Sequence, residues 1–202
     1  MGRLKPSIES SARPGMRGQS LVEFAMVLPL VLVLVLGIIE VSYALFENHI
    51  IIKLTREGSN LISRGTKLGH ADIDSWLLSG TNAPVAFNAK GKLVLSVIKL
   101  GDAGANLDRP IISHRRVVGT LSANSVLGNP PSSSYSGTPD FAAVNPNNDS
   151  NIRIMGALPN SLTLTDGESV YVTEIYMRHD FLTPFQNFGV TLPTNLYASA
   201  YF

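Results

Sequence analysis

Between Leu21 and Ile39 the chain is apolar almost without interruption, and Glu23 is the one charge in the run. From Phe24 to Ile39 (FAMVLPLVLVLVLGII) sixteen consecutive residues lack a charged or polar side chain. A segment apolar on every side belongs in lipid or inside a bundle of helices. About 20 residues cross a bilayer core, and Leu21–Val41 fits if Glu23 and Glu40 lie near the two interfaces. Past Phe46 the pattern turns amphipathic. Ile50, Leu54 and Leu61, with Ile51, recur at helical spacings, while Lys53, Arg56, Glu57 and Arg64 fall elsewhere on the surface. Residues 19–64 therefore read as one helix of about 67 Å. Its first half is suited to the membrane and its second half to lying on a sheet. Pro29 removes a backbone donor and is expected to kink the helix. Gly37 and Gly58 are its expected weak points.

After Gly65 the period shortens. Ala71–Leu78 (ADIDSWLL) suits a short helix capped near Asp72. Lys92–Leu100 (KLVLSVIKL) and Pro110–Val118 (PIISHRRVV) predict two strands joined by a hairpin-like loop over 101–109. Residues 124–151, rich in Asn, Ser, Gly and Pro, predict a long surface loop. Asn151–Met155 suits a short strand, and Ser169–Arg178 (SVYVTEIYMR) and Leu196–Phe202 (LYASAYF) alternate as strands. The fold class that results is α+β: a long N-terminal transmembrane helix packed on a mainly antiparallel sheet of about four strands.

Charge sharpens the division. Residues 1–18 hold Arg3, Lys5, Arg13 and Arg17 against Glu9, whereas the whole chain carries a net charge of only +1. A short basic segment before an apolar run favours a cytoplasmic N-terminus and an exported head. No basic patch interleaved with aromatics occurs after it, which argues against a nucleic-acid partner. The absence of cysteine excludes disulfides, zinc–thiolate sites and cysteine nucleophiles.

The head holds no arrangement that suggests catalysis. His49, His70, His114 and His179 show no ligand spacing, and there is no GxSxG motif, phosphate-cradling glycine loop or plausible triad. His70, Asp72 and Asp74 crowd three possible ligands, but a capped helix start explains them more simply. Asn145–Asn151 (NPNNDSN) has the oxygen density of a calcium loop without the EF-hand order of ligands, and reads as a polar turn. No cofactor or metal is therefore expected, and the protein is expected not to be an enzyme. Phe181–Phe188 (FLTPFQNF) does not alternate and is a candidate cover for one end of the sheet, or a subunit contact.

The most informative stretch is Arg17–Phe24 (RGQSLVEF). A secretory signal cut after Ala44 would sever the amphipathic helix at its start, and a plain signal-anchor leaves Glu23 as a boundary charge. The segment GQSLVEFAMVLPLVLVLVLGIIEVSYALF resembles the TadE-like family of minor pseudopilins from tight-adherence type IV pilus systems. Gly18, Gln19, Ser20, Glu23, Phe24, Leu28 and Pro29 carry the resemblance, which is strong over about residues 17–50.

The resemblance implies a type IV pilin-like fold and a cytoplasmic leader, residues 1–18, removed by prepilin peptidase between Gly18 and Gln19. It places the long helix at 19–64 and a periplasmic or extracellular head at 65–202. Glu23 would pair with the ammonium created at Gln19. The implied partners are prepilin peptidase, other pilin and minor pilin subunits, the inner-membrane assembly platform and membrane lipid. The implied location is a single pass of the inner membrane and then the pilus or cell surface. The competing readings are a signal-anchored exported binding domain without a filament role and, more distantly, a signal-anchored hydrolase.

Overall fold

The computed structural model describes residues 16–69, 90–154, 156, 158, 162–184 and 194–202. The helix expected at 71–78, the His70–Asp74 cluster and residues 185–188 of the aromatic stretch lie outside them. The chain divides into two compact units, Met1–Ser42 and Tyr43–Phe202. Helix α1, Met16–Ser63, runs for 48 residues and continues through Pro29. In the first unit its large apolar side chains are exposed on all faces, with Leu21 at 71% and Met26 at 77%.

The second unit is built on a sheet. Its strands are β1 (Gly91–Leu100), β2 (Pro110–Gly119), β3 (Tyr135–Ser136), β4 (Ala142–Ala143), β5 (Ser169–Arg178) and β6 (Asn195–Tyr201). They lie in the order β3-β4-β2-β1-β5-β6, and every pairing is antiparallel. The α+β class with an N-terminal helix is thus borne out, with six strands in place of about four. The four long strands match the alternating segments of the sequence. The two added strands are two-residue pieces inside 124–151, too short to leave a periodic signal. Of the strand expected at 151–155, the described residues 151–154 contribute a bridge, Ile111 to Arg153, and Met155 lies outside the described residues.

Alternation distributes each strand between two cores. Leu93, Leu95, Val97, Ile175, Met177 and Ala198 face Ile51, Leu54 and Ile62 of α1, with Leu68 beyond it. Ile98, Ile112, Val170 and Val172 point to the other face, where Leu127 and Ile154 cover them. Residues 121–154 are therefore less a surface loop than a cover, since burying an apolar side chain such as Leu127 contributes about 1.5–3 kcal/mol. A β-bulge at Val97/Ile98 lets the pairing skip Ser113, whose hydroxyl donates to the Val97 carbonyl at 3.0 Å.

The helix stripe is shifted from the one that hydrophobicity alone suggests. Ile50 and Leu61 are half-buried, whereas Thr55, Gly58 and Ser59 are buried with Ile51, Leu54 and Ile62. Small and hydroxylated residues complete the stripe because the helix comes close to the sheet there. Ser59 Oγ donates to the Ala200 carbonyl at 3.0 Å. A Cβ at Gly58 would stand 3.1 Å from both Cγ2 and Oγ1 of Thr173. Gly58 is thus a point of close approach, where the sequence suggested a weak point. Gly58→Val should destabilise the protein by about 1–3 kcal/mol through overpacking. Thr173→Ala in the same chain should recover part of that loss. Urea unfolding of the full chain in detergent micelles measures both.

Candidate functional site

The residues singled out at the mouth of the helix stand on one continuous α-helical segment. α1 begins at Met16, so Gly18 and Gln19 are already helical. Gly18 is exposed, and a Cβ there would meet nothing within 4 Å. Gln19 and Glu23 are one turn apart on the same face, and Gln19 Nε2 donates to Glu23 Oε1 at 3.0 Å. Glu23 therefore points back along the helix toward Gln19, where a side-chain amide answers it. Pro29 lies six residues further on, inside the exposed apolar stretch. Glu40, expected at the far boundary, is buried.

The membrane expectation has a physical basis in this helix. Its most apolar 18-residue window has a mean hydropathy of 2.8, and among the described residues none of that window is buried. A core helix of a soluble domain would be covered by its own protein. This one is long and apolar enough to cross a membrane.

Polar groups in the second unit form clusters that sequence spacing did not join. Glu47 and His179, 132 residues apart in the chain, are both buried and bring Oε2 and Nδ1 to 2.5 Å. The rings of Tyr43 and Phe181 flank the imidazole at 5.9 and 5.7 Å. Burial pushes the Tyr43 phenol up, and the Glu47 carboxylate beside it adds to the shift. Glu174 is fully buried on β5 and accepts from Ser125 Oγ at 2.5 Å, Val126 N at 3.0 Å and Tyr176 Oη at 2.8 Å. A charged residue in the inward phase of a strand is a legible signal, and Glu174 in SVYVTEIYMR offered it. His179 offered none, because its partner is reached only through the tertiary fold.

The other expectations can be placed directly. His49 is exposed. His114 is half-buried in a cleft of about 260 Å³ beside Ser113, Lys99 and Asp140, and burial lowers its pKa. In the Asn145–Asn151 turn the side-chain oxygens serve the protein itself. Asp149 accepts from Ser134 Oγ at 2.7 Å and Asn151 N at 2.8 Å, and Asn148 Oδ1 accepts from Ala105 N at 3.3 Å. Asn106 Nδ2 donates to the carbonyls of Pro146 and Asp149 at 2.7 and 3.0 Å, tying the 101–109 loop to that turn. Oxygen density there reflects turn chemistry. Among the described residues no group of three or more His, Asp or Glu is placed to hold a metal ion.

The model of the family described as TadE-like protein matches residues 18–60. Over that stretch the chain resembles the TadE-like family. The match starts at Gly18, takes in Gln19, Glu23 and Pro29, and ends inside the half of α1 that packs on the sheet. No curated protein and no solved structure matches the chain. The TadE-like segment thus contains Glu47, while His179 lies in the head beyond it. Removing one partner of a buried hydrogen bond leaves the other polar group unsatisfied. His179→Leu should therefore destabilise the protein by about 1–3 kcal/mol, and the Glu47→Leu/His179→Leu double variant should recover part of it. A double-mutant cycle by urea unfolding in micelles reads the difference.

Proposed function

We propose that the protein is a membrane-inserted minor pseudopilin that supports assembly or tip structure of a tight-adherence type IV pilus. At the coarser level, the TadE-like match supports a pilus-associated protein of a structural, non-enzymatic kind. The observation that carries the finer reading is the helix mouth. A lone carboxylate stands at the start of an exposed apolar helix, with Gly18–Gln19 one turn before it.

In this reading prepilin peptidase cuts between Gly18 and Gln19 on the cytoplasmic side, and residues 1–18 leave as a basic leader. The cut has two electrostatic consequences. It creates an ammonium on Gln19, and it frees the N–H groups of a new helix terminus, whose dipole favours a nearby anion. Glu23 is the carboxylate in reach of both. An unpaired carboxylate in hydrocarbon costs several kcal/mol. Pairing with its own ammonium, or with that of a neighbouring subunit, removes this penalty and sets the axial register. The apolar residues from Leu21 to Val41 then exchange lipid for other pilin subunits without changing their chemistry. Pro29 would let the helix bend as it leaves the assembly platform.

Mass spectrometry of the chain co-expressed with a prepilin peptidase should find a mature N-terminus at Gln19. A start at Met1 or Leu45 would overturn the pilin-like reading and leave the signal-anchored binding domain. Glu23→Ala should leave cleavage intact and lower incorporation into pili about tenfold, the factor that corresponds to ~1.4 kcal/mol. Unchanged piliation would defeat the pairing role.

A further inference from the structure

Glu174 and Arg115 share the sheet face turned away from α1, and only the carboxylate is satisfied by hydrogen bonds. In the register of the sheet, Arg115 on β2 stands opposite Ser96 on β1, which stands opposite Val172, two residues before Glu174 on β5. Glu174 takes its three hydrogen bonds from Ser125, Val126 and Tyr176, and none from arginine. Arg115 is only 5% exposed, and its Nη1 is enclosed without a hydrogen-bond partner among the described residues. Two further buried oxygens on this side lack partners among the described residues, Ser96 Oγ and Tyr135 Oη. Buried polar groups are normally paired, because leaving one unsatisfied costs about 1–3 kcal/mol and a charged one costs more.

Two of the residues that carry these orphaned groups, Arg115 and Tyr135, adjoin a cavity. Arg115 and Tyr135 line a recess of about 360 Å³ together with Val117, Pro130 and Phe141. Arg116 also borders it, but its Nη1 donates to the Leu68 carbonyl at 2.7 Å and its guanidinium lies over the Phe141 ring at 5.5 Å. Arg115 therefore brings the recess a cation whose Nη1 has no hydrogen bond among the described residues and on which Glu174 acts only through space, with a phenol beside it and apolar walls around. That donor set matches a single negative charge on a planar group with a short apolar stem. A doubly charged phosphate would bring more charge than Arg115 can balance.

We propose that the recess beneath residues 130–141 is a carboxylate-binding site, in which Arg115 pairs with the carboxylate and Tyr135 donates a hydrogen bond to it. The site is independent of the helix mouth and of pilus assembly. Two sources share this chemistry: a free short-chain acid, and the acidic side chain of another protein chain.

The test is titration of the full-length chain in detergent micelles, with sodium chloride holding ionic strength constant. The probes are propionate and a glutamate-containing tripeptide with blocked ends, read by calorimetry and by the thermal unfolding midpoint. Saturable binding is expected, weakened about tenfold in Tyr135→Phe by loss of one hydrogen bond to a charged group, and abolished in Arg115→Met. Tighter binding of propionate identifies a free acid, and tighter binding of the peptide identifies a protein side chain. Tyr135→Phe keeps the ring and its packing, so the test stands even if Arg115→Met fails to fold. The proposal is overturned if neither probe saturates or if wild type and Tyr135→Phe bind alike. A crystal structure grown in propionate that shows only ordered water at Arg115 would also overturn it.

Discussion

The packing of residues 51–62 of α1 on Leu93, Leu95, Ile175 and Met177 is the contact on which the second unit depends. It works because the helix stripe is uneven. Ile51, Leu54 and Ile62 supply apolar volume, while Gly58 and Ser59 let the backbone come near Thr173 and Ala200. Without that contact one face of the sheet would be an apolar surface facing water. The same helix carries an opposite pattern N-terminal to Ser42, where its large apolar side chains are exposed among the described residues. One secondary-structure element thus carries two kinds of surface, and the change falls near Tyr43 and Glu47.

The two faces of the sheet are filled on different principles. The helix face is close to a plain apolar core, in which a buried Leu or Ile contributes about 1.5–3 kcal/mol. The opposite face is mixed, with Ile98, Ile112 and Val172 beside Ser96, Arg115 and Glu174. Its cover comes from residues 121–154, a segment low in hydrophobic content that closes largely by hydrogen bonds. Glu174 holds Ser125 and Val126 in place, and Asn106 holds the 145–149 turn. Such a cover specifies its geometry strongly, because each buried polar group must find its partner or be penalised. Tyrosines ring the same region, and burial pushes the Tyr197 phenol up to about 12 beside Tyr176, whose ring lies 4.8 Å away.

Much of the fold was legible because it rests on period. Ser169–Arg178 and Leu196–Phe202 alternate, and the ladder pairs Val172 with Tyr201 through Arg178 with Asn195. The strands over 92–100 and 110–118 were equally clear. The bulge at Ser113 was not, since an extra residue in a β-branched run leaves the composition unchanged. β3 and β4 were invisible because two residues carry no period. The helix stripe was misplaced by one position because Thr55, Gly58 and Ser59 do not register as apolar, although they are buried.

By itself the sequence determined the features that local chemistry dictates. A charge-free run of sixteen residues, a Gly-Gln pair before it and Glu23 one turn on need no distant partner to be recognised. The TadE-like match covers this local part of the chain, residues 18–60. Only the tertiary structure decided which distant residues meet: Glu47 with His179, Glu174 with Ser125, and Arg115 with the recess beside Tyr135. Strand order and loop closure bring together residues tens to more than a hundred positions apart. No periodicity along the chain encodes such encounters, because they depend on how the strands pair and on what the cover must satisfy.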